Sequence, residues 1–199
     1  MELLDVEPLL ARCSALQADG EPGLGALLGA LDGARLTATA LSTLTRPDPT
    51  RPYGRRVLQS GPHVEAMLAT WTPGVPCAPH DHGGSVGGVA VVQGEAVHRV
   101  WRVTDGALRP VLAERVGTGG LLSCGPDLVH SMEDGGAEQP LVTLHLYAGP
   151  IDHMVVYDLE QGRTLVVEGG CGAWVPDDQP ELIRAVHDGL RSPEDALRC

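Results

Sequence analysis

The sequence predicts a mainly β chain, a jelly-roll β-barrel with N-terminal and C-terminal helices packed on it. Three observations predict it. Short β-rich runs recur every ten or so residues between Val57 and Val167. Turns rich in Gly, Pro and Asp separate them, which is the texture of a sandwich or barrel. Residues 1–45 instead space their leucines as helices do.

In chain order, Leu3, Leu4, Leu9, Leu10, Cys13 and Leu16 form one apolar helical face. Leu24, Leu27, Leu28 and Leu31 form a second, and Gly20, Pro22 and Gly23 break the two apart. The loop Arg46–Pro52, with three prolines, closes this part. Strands are expected at Val64–Thr72, Gly88–Val92, Ala96–Val103, Leu108–Val116, Gly120–Leu122, Leu141–Tyr147 and Met154–Tyr157. Pro180–Leu190 and Ser192–Arg198 read as a closing helical tail, the second opened by a Ser cap with Pro at the first helical position. The chain of 199 residues thus divides into a helical segment (1–50), a barrel (53–167) and a helical tail (176–199) of a single domain.

Composition excludes several functions. The net charge of −12 leaves no basic footprint for a nucleic acid or an anionic membrane. No apolar run approaches the ~20 residues that span a bilayer. The acidic start, Met1-Glu2-Leu3-Leu4-Asp5, lacks the basic region of a signal peptide, so a cytoplasmic monomer is expected. The five cysteines are widely spaced, with no CxxC and no zinc ladder. Cys13, Cys171 and Cys199 read as small hydrophobes or inert thiols. Cys77, three residues before His80, reads as a loop thiol or as lining a site entrance.

Of eight histidines, His80 and His82 carry the chemistry. On a strand, alternate residues share a face, so His-Asp-His aims two imidazoles at one point. Neutral imidazole ligates Fe, Zn, Cu and Ni alike. His63 and His98 read as surface or core histidines, His187 as part of the tail, and His153 as a residue near the site mouth at most. Trp71 and Trp101 read as barrel packing.

Gly74, His80, His82 and Gly94 are spaced as in the first cupin motif, which this run resembles. Gly87 stands where most cupins place a glutamate ligand. The run Gly120-Leu-Leu-Ser-Cys-Gly-Pro126-Asp-Leu-Val-His130 resembles the second cupin motif, one residue short between Pro126 and the histidine, with Asp134 in the asparagine slot. The two halves together imply a metal on His80, His82 and His130 with no carboxylate, which leaves open coordination positions.

Leu141-Val-Thr143-Leu-His145-Leu-Tyr147-Ala-Gly-Pro150 resembles the Ser-Leu-His-Leu-Tyr-Ser-Pro-Pro stretch of cysteine dioxygenases. Tyr53-Gly54-Arg55-Arg56-Val57-Leu58 resembles their Tyr-Thr-Arg-Asn-Leu stretch. The resemblance spans roughly residues 50–160 and implies an Fe(II)-dependent, non-haem iron oxidoreductase. Such an enzyme adds both atoms of O2 to the thiolate of L-cysteine and yields cysteine sulfinic acid. It implies Arg55 as the clamp on the substrate carboxylate, with Arg56 the alternative. It further implies Thr143, His145 and Tyr147 as a relay whose phenol lies over the metal. Animal members cross-link a cysteine to this tyrosine, and Gly87 occupies that cysteine's slot. Ala148-Gly149-Pro150 replaces the family's Ser-Pro-Pro and its cis-proline turn. The alternatives are a dioxygenase for another small thiol such as 3-mercaptopropionate, and a non-catalytic metal- or ligand-binding cupin.

Overall fold

The computed structural model describes residues 7–32 and 42–198. Residues 1–6, with Leu3 and Leu4 of the first apolar face, and Cys199 lie outside them.

Two helices lead, α1 (Glu7–Ala18) and α2 (Leu24–Leu31), followed by strands β1 (Tyr53–Ser60), β2 (Val64–Trp71), β3 (Gly87–Gln93), β4 (Glu95–Thr104), β5 (Ala107–Gly117) and β6 (Leu121–Cys124). Then come β7 (Val129–Asp134), β8 (Val142–Ala148), β9 (His153–Asp158), β10 (Arg163–Glu168), β11 (Ile183–Asp188) and the short helix α3 (Pro193–Ala196). None of these helices is long and apolar enough to cross a membrane.

One wall of the barrel is a five-stranded antiparallel sheet in the order β1-β2-β8-β3-β6. Its central strands are buried on both faces, which explains why β2 and β8 read as nearly continuous apolar runs. Ala66, Leu68, Leu144 and Leu146 face outward and pack under Leu9, Cys13, Leu27 and Leu31 of the two helices. The alternate residues Met67, Ala69, Trp71, Val89 and Val91 face the barrel interior. The leucine periodicity of the N-terminal segment is therefore a lid on the sheet's outer face, as its spacing implies.

The opposite wall is two three-stranded sheets, β5-β4-β7 and β11-β10-β9. His80 forms a bridge to His130 of β7 on one side and to Val156 of β9 on the other. A single extended residue thereby joins the two sheets.

The tail differs from the sequence expectation. Leu182, Val186 and Leu190 recur at helical spacing, yet 180–190 is a 3-10 turn (Pro180–Leu182) running into strand β11. The free edge of β10 offers a ladder, and Leu165↔Val186 and Val166↔Ala185 complete it; tertiary pairing outweighs weak local propensity. The second helix is present: Ser192 Oγ accepts from Asp195 N at 3.2 Å, with Pro193 at its start. Strands β1, β7 and β10 are additional to the expected ones. Every peptide bond among the described residues is trans, Gly149–Pro150 included.

Candidate metal centre

The site begins with a backbone pair. His80 N donates to His130 O and His130 N donates to His80 O, both at 2.9 Å. Residues 50 positions apart are thus fixed opposite one another by two hydrogen bonds. The residue between the histidines, Asp81, anchors the turn: its Oδ1 accepts from Val155 N at 2.6 Å and Gly83 N at 3.3 Å. Gly83 sits at φ +60°, and a Cβ there would lie 2.3 Å from His153 O, so only glycine fits this turn. His80 is a bridge residue and His82 lies beyond any strand, so the pair is held by a pinned turn rather than by a regular strand.

His80, His82 and His130 bring their ligand nitrogens within 4.8 Å of one another, all three side chains buried. The unused nitrogens fix the tautomers. His80 Nδ1 donates to Ala78 O at 2.9 Å, leaving Nε2 as a lone-pair donor. His98 Nδ1 donates to the Glu114 carboxylate at 3.0 Å, so His98 Nε2 accepts from His130 Nδ1 at 3.0 Å and His130 Nε2 is likewise left free. His82 is 1% exposed, and neither ring nitrogen has a hydrogen-bond partner among the described residues. Orphaned buried polar atoms are rare, and a metal would satisfy this one. Burial holds the three imidazoles neutral: it lowers His80 to about 4 and pushes His82 and His130 well below their ordinary value. Three converging neutral imidazoles fit a divalent transition metal.

The relay residues do meet. Thr143, His145 and Tyr147 alternate along β8 and face the interior. Thr143 Oγ1 lies 2.8 Å from His145 Nε2, and His145 Nδ1 lies 3.1 Å from the Tyr147 hydroxyl. Trp71 Nε1, read from sequence as packing, donates to Thr143 Oγ1 at 2.8 Å and sets the polarity of the chain. Thr143 then donates to His145 Nε2, and His145 Nδ1–H donates to the Tyr147 oxygen. This arrangement leaves the phenolic hydrogen free to donate into the cavity. Burial lowers His145 to about 3 and raises the Tyr147 phenol well above its ordinary value, so both are neutral.

Gly87 pairs with Tyr147 on one side and Cys124 on the other, making one cross-strand row. A Cβ on Gly87 would lie 2.4 Å from Tyr147 Cδ1. The tyrosine ring occupies the space that a side chain there would need. Cys124 is buried, and burial pushes its thiol up to about 12.

Arg55 lines the same cavity, whereas Arg56 turns outward and donates to Thr43 O. Arg55 is not free. Its Nη2 donates to Glu65 Oε1 at 2.7 Å, Nη1 to Gly169 O at 3.3 Å, and Nε to Met67 Sδ at 3.2 Å. One N–H on each Nη remains.

Four contributors escaped sequence reasoning: His98, Glu114, Glu65 and the Trp71 indole. His98 shares the interior with His130 only because β4 pairs with β7. Glu65 reaches Arg55 only because β1 pairs with β2. Neither register has a local signal. Cys77 is a core thiol rather than an entrance residue; its Sγ accepts from Met132 N, and burial pushes it up to about 12. No disulfide links the described cysteines. His187 sits on β11 with Nε2 3.0 Å from Ala196 O.

The model of the family "Cysteine dioxygenase type I" matches residues 36–160. Among solved structures, the chain resembles an uncharacterized conserved protein with a double-stranded beta-helix domain from Klebsiella pneumoniae. That match has a TM-score of 0.51 at 17% identity, over 62% of this chain and 97% of that one. It also resembles the TT1209 protein of Thermus thermophilus, with a TM-score of 0.46 at 20% identity, over 55% of this chain and 93% of that one. The first likeness bears on fold alone, and the barrel described above agrees with it. Because the family model covers well over half of the residues, and its range takes in the arginine strand, the three histidines and the tyrosine strand, the chain belongs to the cysteine dioxygenase type I family.

Proposed function

We propose that this protein is an Fe(II)-dependent thiol dioxygenase that oxidises L-cysteine with O2 to cysteine sulfinic acid, acting as a cytoplasmic, single-domain monomer. The observation that carries the reading is one cavity whose wall combines His80, His82 and His130 with Arg55 and Tyr147. Bound ferrous iron would supply the redox chemistry that joins a thiolate to dioxygen, held by the Nε2 atoms of His80 and His130 and by a nitrogen of His82. A soft thiolate suits such a site and loses its proton beside a cation.

The protein's own groups would orient and exclude. The two remaining N–H groups of Arg55 suit a carboxylate. The free hydrogen of Tyr147 can be given to the bound substrate or to oxygen, with Trp71, Thr143 and His145 holding its oxygen in place. The cavity has a volume of about 30 Å³, which favours a ligand of few heavy atoms. Met67, Met132, Ile151 and Met154 line the rest and keep water scarce.

The test is anaerobic Fe(II) loading followed by oxygen uptake with a panel of thiols and analysis of the sulfur product. Cysteine sulfinate formed in step with oxygen consumed supports the proposal. Loaded protein that consumes no oxygen with any thiol overturns it in favour of a binding role.

A further inference from the structure

Every methionine after the first, Met67, Met132 and Met154, lines the metal cavity. Methionine fills irregular gaps well, and for Met132 and Met154, buried in the core, that role suffices. Met67 differs. Its Sδ accepts the Arg55 Nε–H at 3.2 Å, so an oxidisable thioether touches a guanidinium inside the cavity. Register sets the contact: Met67 on β2 lies opposite Val57 of β1 and opposite His145 of β8.

A thioether sulfur has two lone pairs, and Arg55 faces one of them. The other is left to act as a nucleophile. Peroxide oxidises such a sulfur to the sulfoxide. The S–O bond forms as the O–O bond breaks, hydroxide leaves with the bonding pair, and it takes the proton from the sulfur-bound oxygen to become water. Negative charge develops on the departing oxygen, and the N–H that remains on each Nη of Arg55 is a cationic donor for it. A divalent cation on His80, His82 and His130 adds to the positive potential of the cavity and works in the same direction. The peroxide has a source under the dioxygenase reading. Two thiols that close a disulfide release two electrons and two protons, and O2 takes them up as hydrogen peroxide.

We propose that Met67 is an oxidation site: hydrogen peroxide in the cavity converts its thioether to the sulfoxide, with Arg55 stabilising the hydroxide that leaves. Only the source of the peroxide rests on the dioxygenase reading. Because Arg55 takes one lone pair, a single sulfoxide epimer forms.

The experiment treats Zn(II)-loaded protein, whose metal is redox-inert, with hydrogen peroxide and follows each methionine by peptide mass analysis. Met67 should gain one oxygen ~100-fold faster than Met132 or Met154, the typical effect of a positioned donor at a developing anion. After digestion, one of the two stereospecific classes of methionine sulfoxide reductase should restore the Met67 peptide fully and the other not at all. Arg55→Gln should remove the lead of Met67. If Glu65 left alone prevents folding, Arg55→Gln/Glu65→Gln removes both charges and serves instead. Equal rates at the three methionines, a mixture of epimers at Met67, or a lead that survives the loss of Arg55 each overturn the inference. A second arm supplies Fe(II)-loaded protein with L-cysteine and air, with catalase to clear peroxide from the solvent. Met67 sulfoxide should still accumulate while added N-acetylmethionine stays reduced. Oxygen consumed over many turnovers with Met67 intact overturns the inference. Protein that consumes no oxygen with any thiol contradicts the dioxygenase reading instead, and the Zn(II) arm still decides the chemistry of Met67.

Discussion

His98 Nε2 lies 3.0 Å from His130 Nδ1 in the closed interior of the barrel, and Glu114 holds the far side of His98 at 3.0 Å. A carboxylate–imidazole–imidazole chain of this kind fixes the tautomer of a ligand and raises its basicity; removing such a partner typically costs ~10- to 100-fold in metal affinity. His98→Ala is expected to weaken Fe(II) by that order, measured by competition with a chelator, while His98→Gln retains part of the affinity. Unchanged affinity in His98→Ala reduces the residue to packing.

Arg55→Ala should weaken the use of cysteine far more than that of cysteamine, which has no carboxylate. The loss of one side of a buried ion pair costs ~2–5 kcal/mol. Arg56→Ala should leave the ratio of kcat/KM values for the two thiols near wild type, because its guanidinium bonds the Thr43 carbonyl at the surface. The reverse pattern would move the clamp to Arg56.

Tyr147→Phe removes only a hydroxyl held by His145. It should lower kcat substantially and leave iron content unchanged, since misplacement of a positioned group by ~1 Å can cost ~100-fold. Peptide mass analysis of the active protein should recover Tyr147 unmodified, because Gly87 offers no thiol. A mass lower by two hydrogens on a peptide pair joining Tyr147 to Cys124, the next residue of that row, would contradict this.

Acid should unfold the metal-free protein early. Folding depresses the histidine values: His80 falls to about 4 and His145 to about 3, with His82 and His130 also well below, chiefly by burial. The unfolded chain, with ordinary values near ~6.5, then binds more protons than the folded one below that pH. Stability is therefore complete above about pH 6.5 and declines as pH falls towards 4. Thermal midpoints between pH 7.5 and 4.5 check this. A flat profile would mean that the imidazoles are solvated.

The site was legible where spacing carries it. Gly74, His80, His82 and Gly94 keep a motif distance, and Leu27 and Leu31 keep a helical one. The parts that were hidden depend on strand register. Nothing local to Glu65 distinguishes it from a surface carboxylate until Ser60 and Tyr147 fall opposite it. His98 looks like any strand histidine until β4 pairs with β7. The tail misled for the opposite reason: helical spacing of Leu182, Val186 and Leu190 was real, but the open edge of β10 used Ile183–Asp188 as a strand.

The central claim is that the three imidazoles hold one iron, and His82 tests it most directly because neither of its buried nitrogens has a hydrogen-bond partner among the described residues. Iron content is measured after anaerobic Fe(II) loading and desalting, for wild type and for His82→Ala, with far-UV circular dichroism as the check on folding. The account predicts one iron per wild-type chain and next to none in a folded His82→Ala variant. Full iron occupancy in that variant would contradict it.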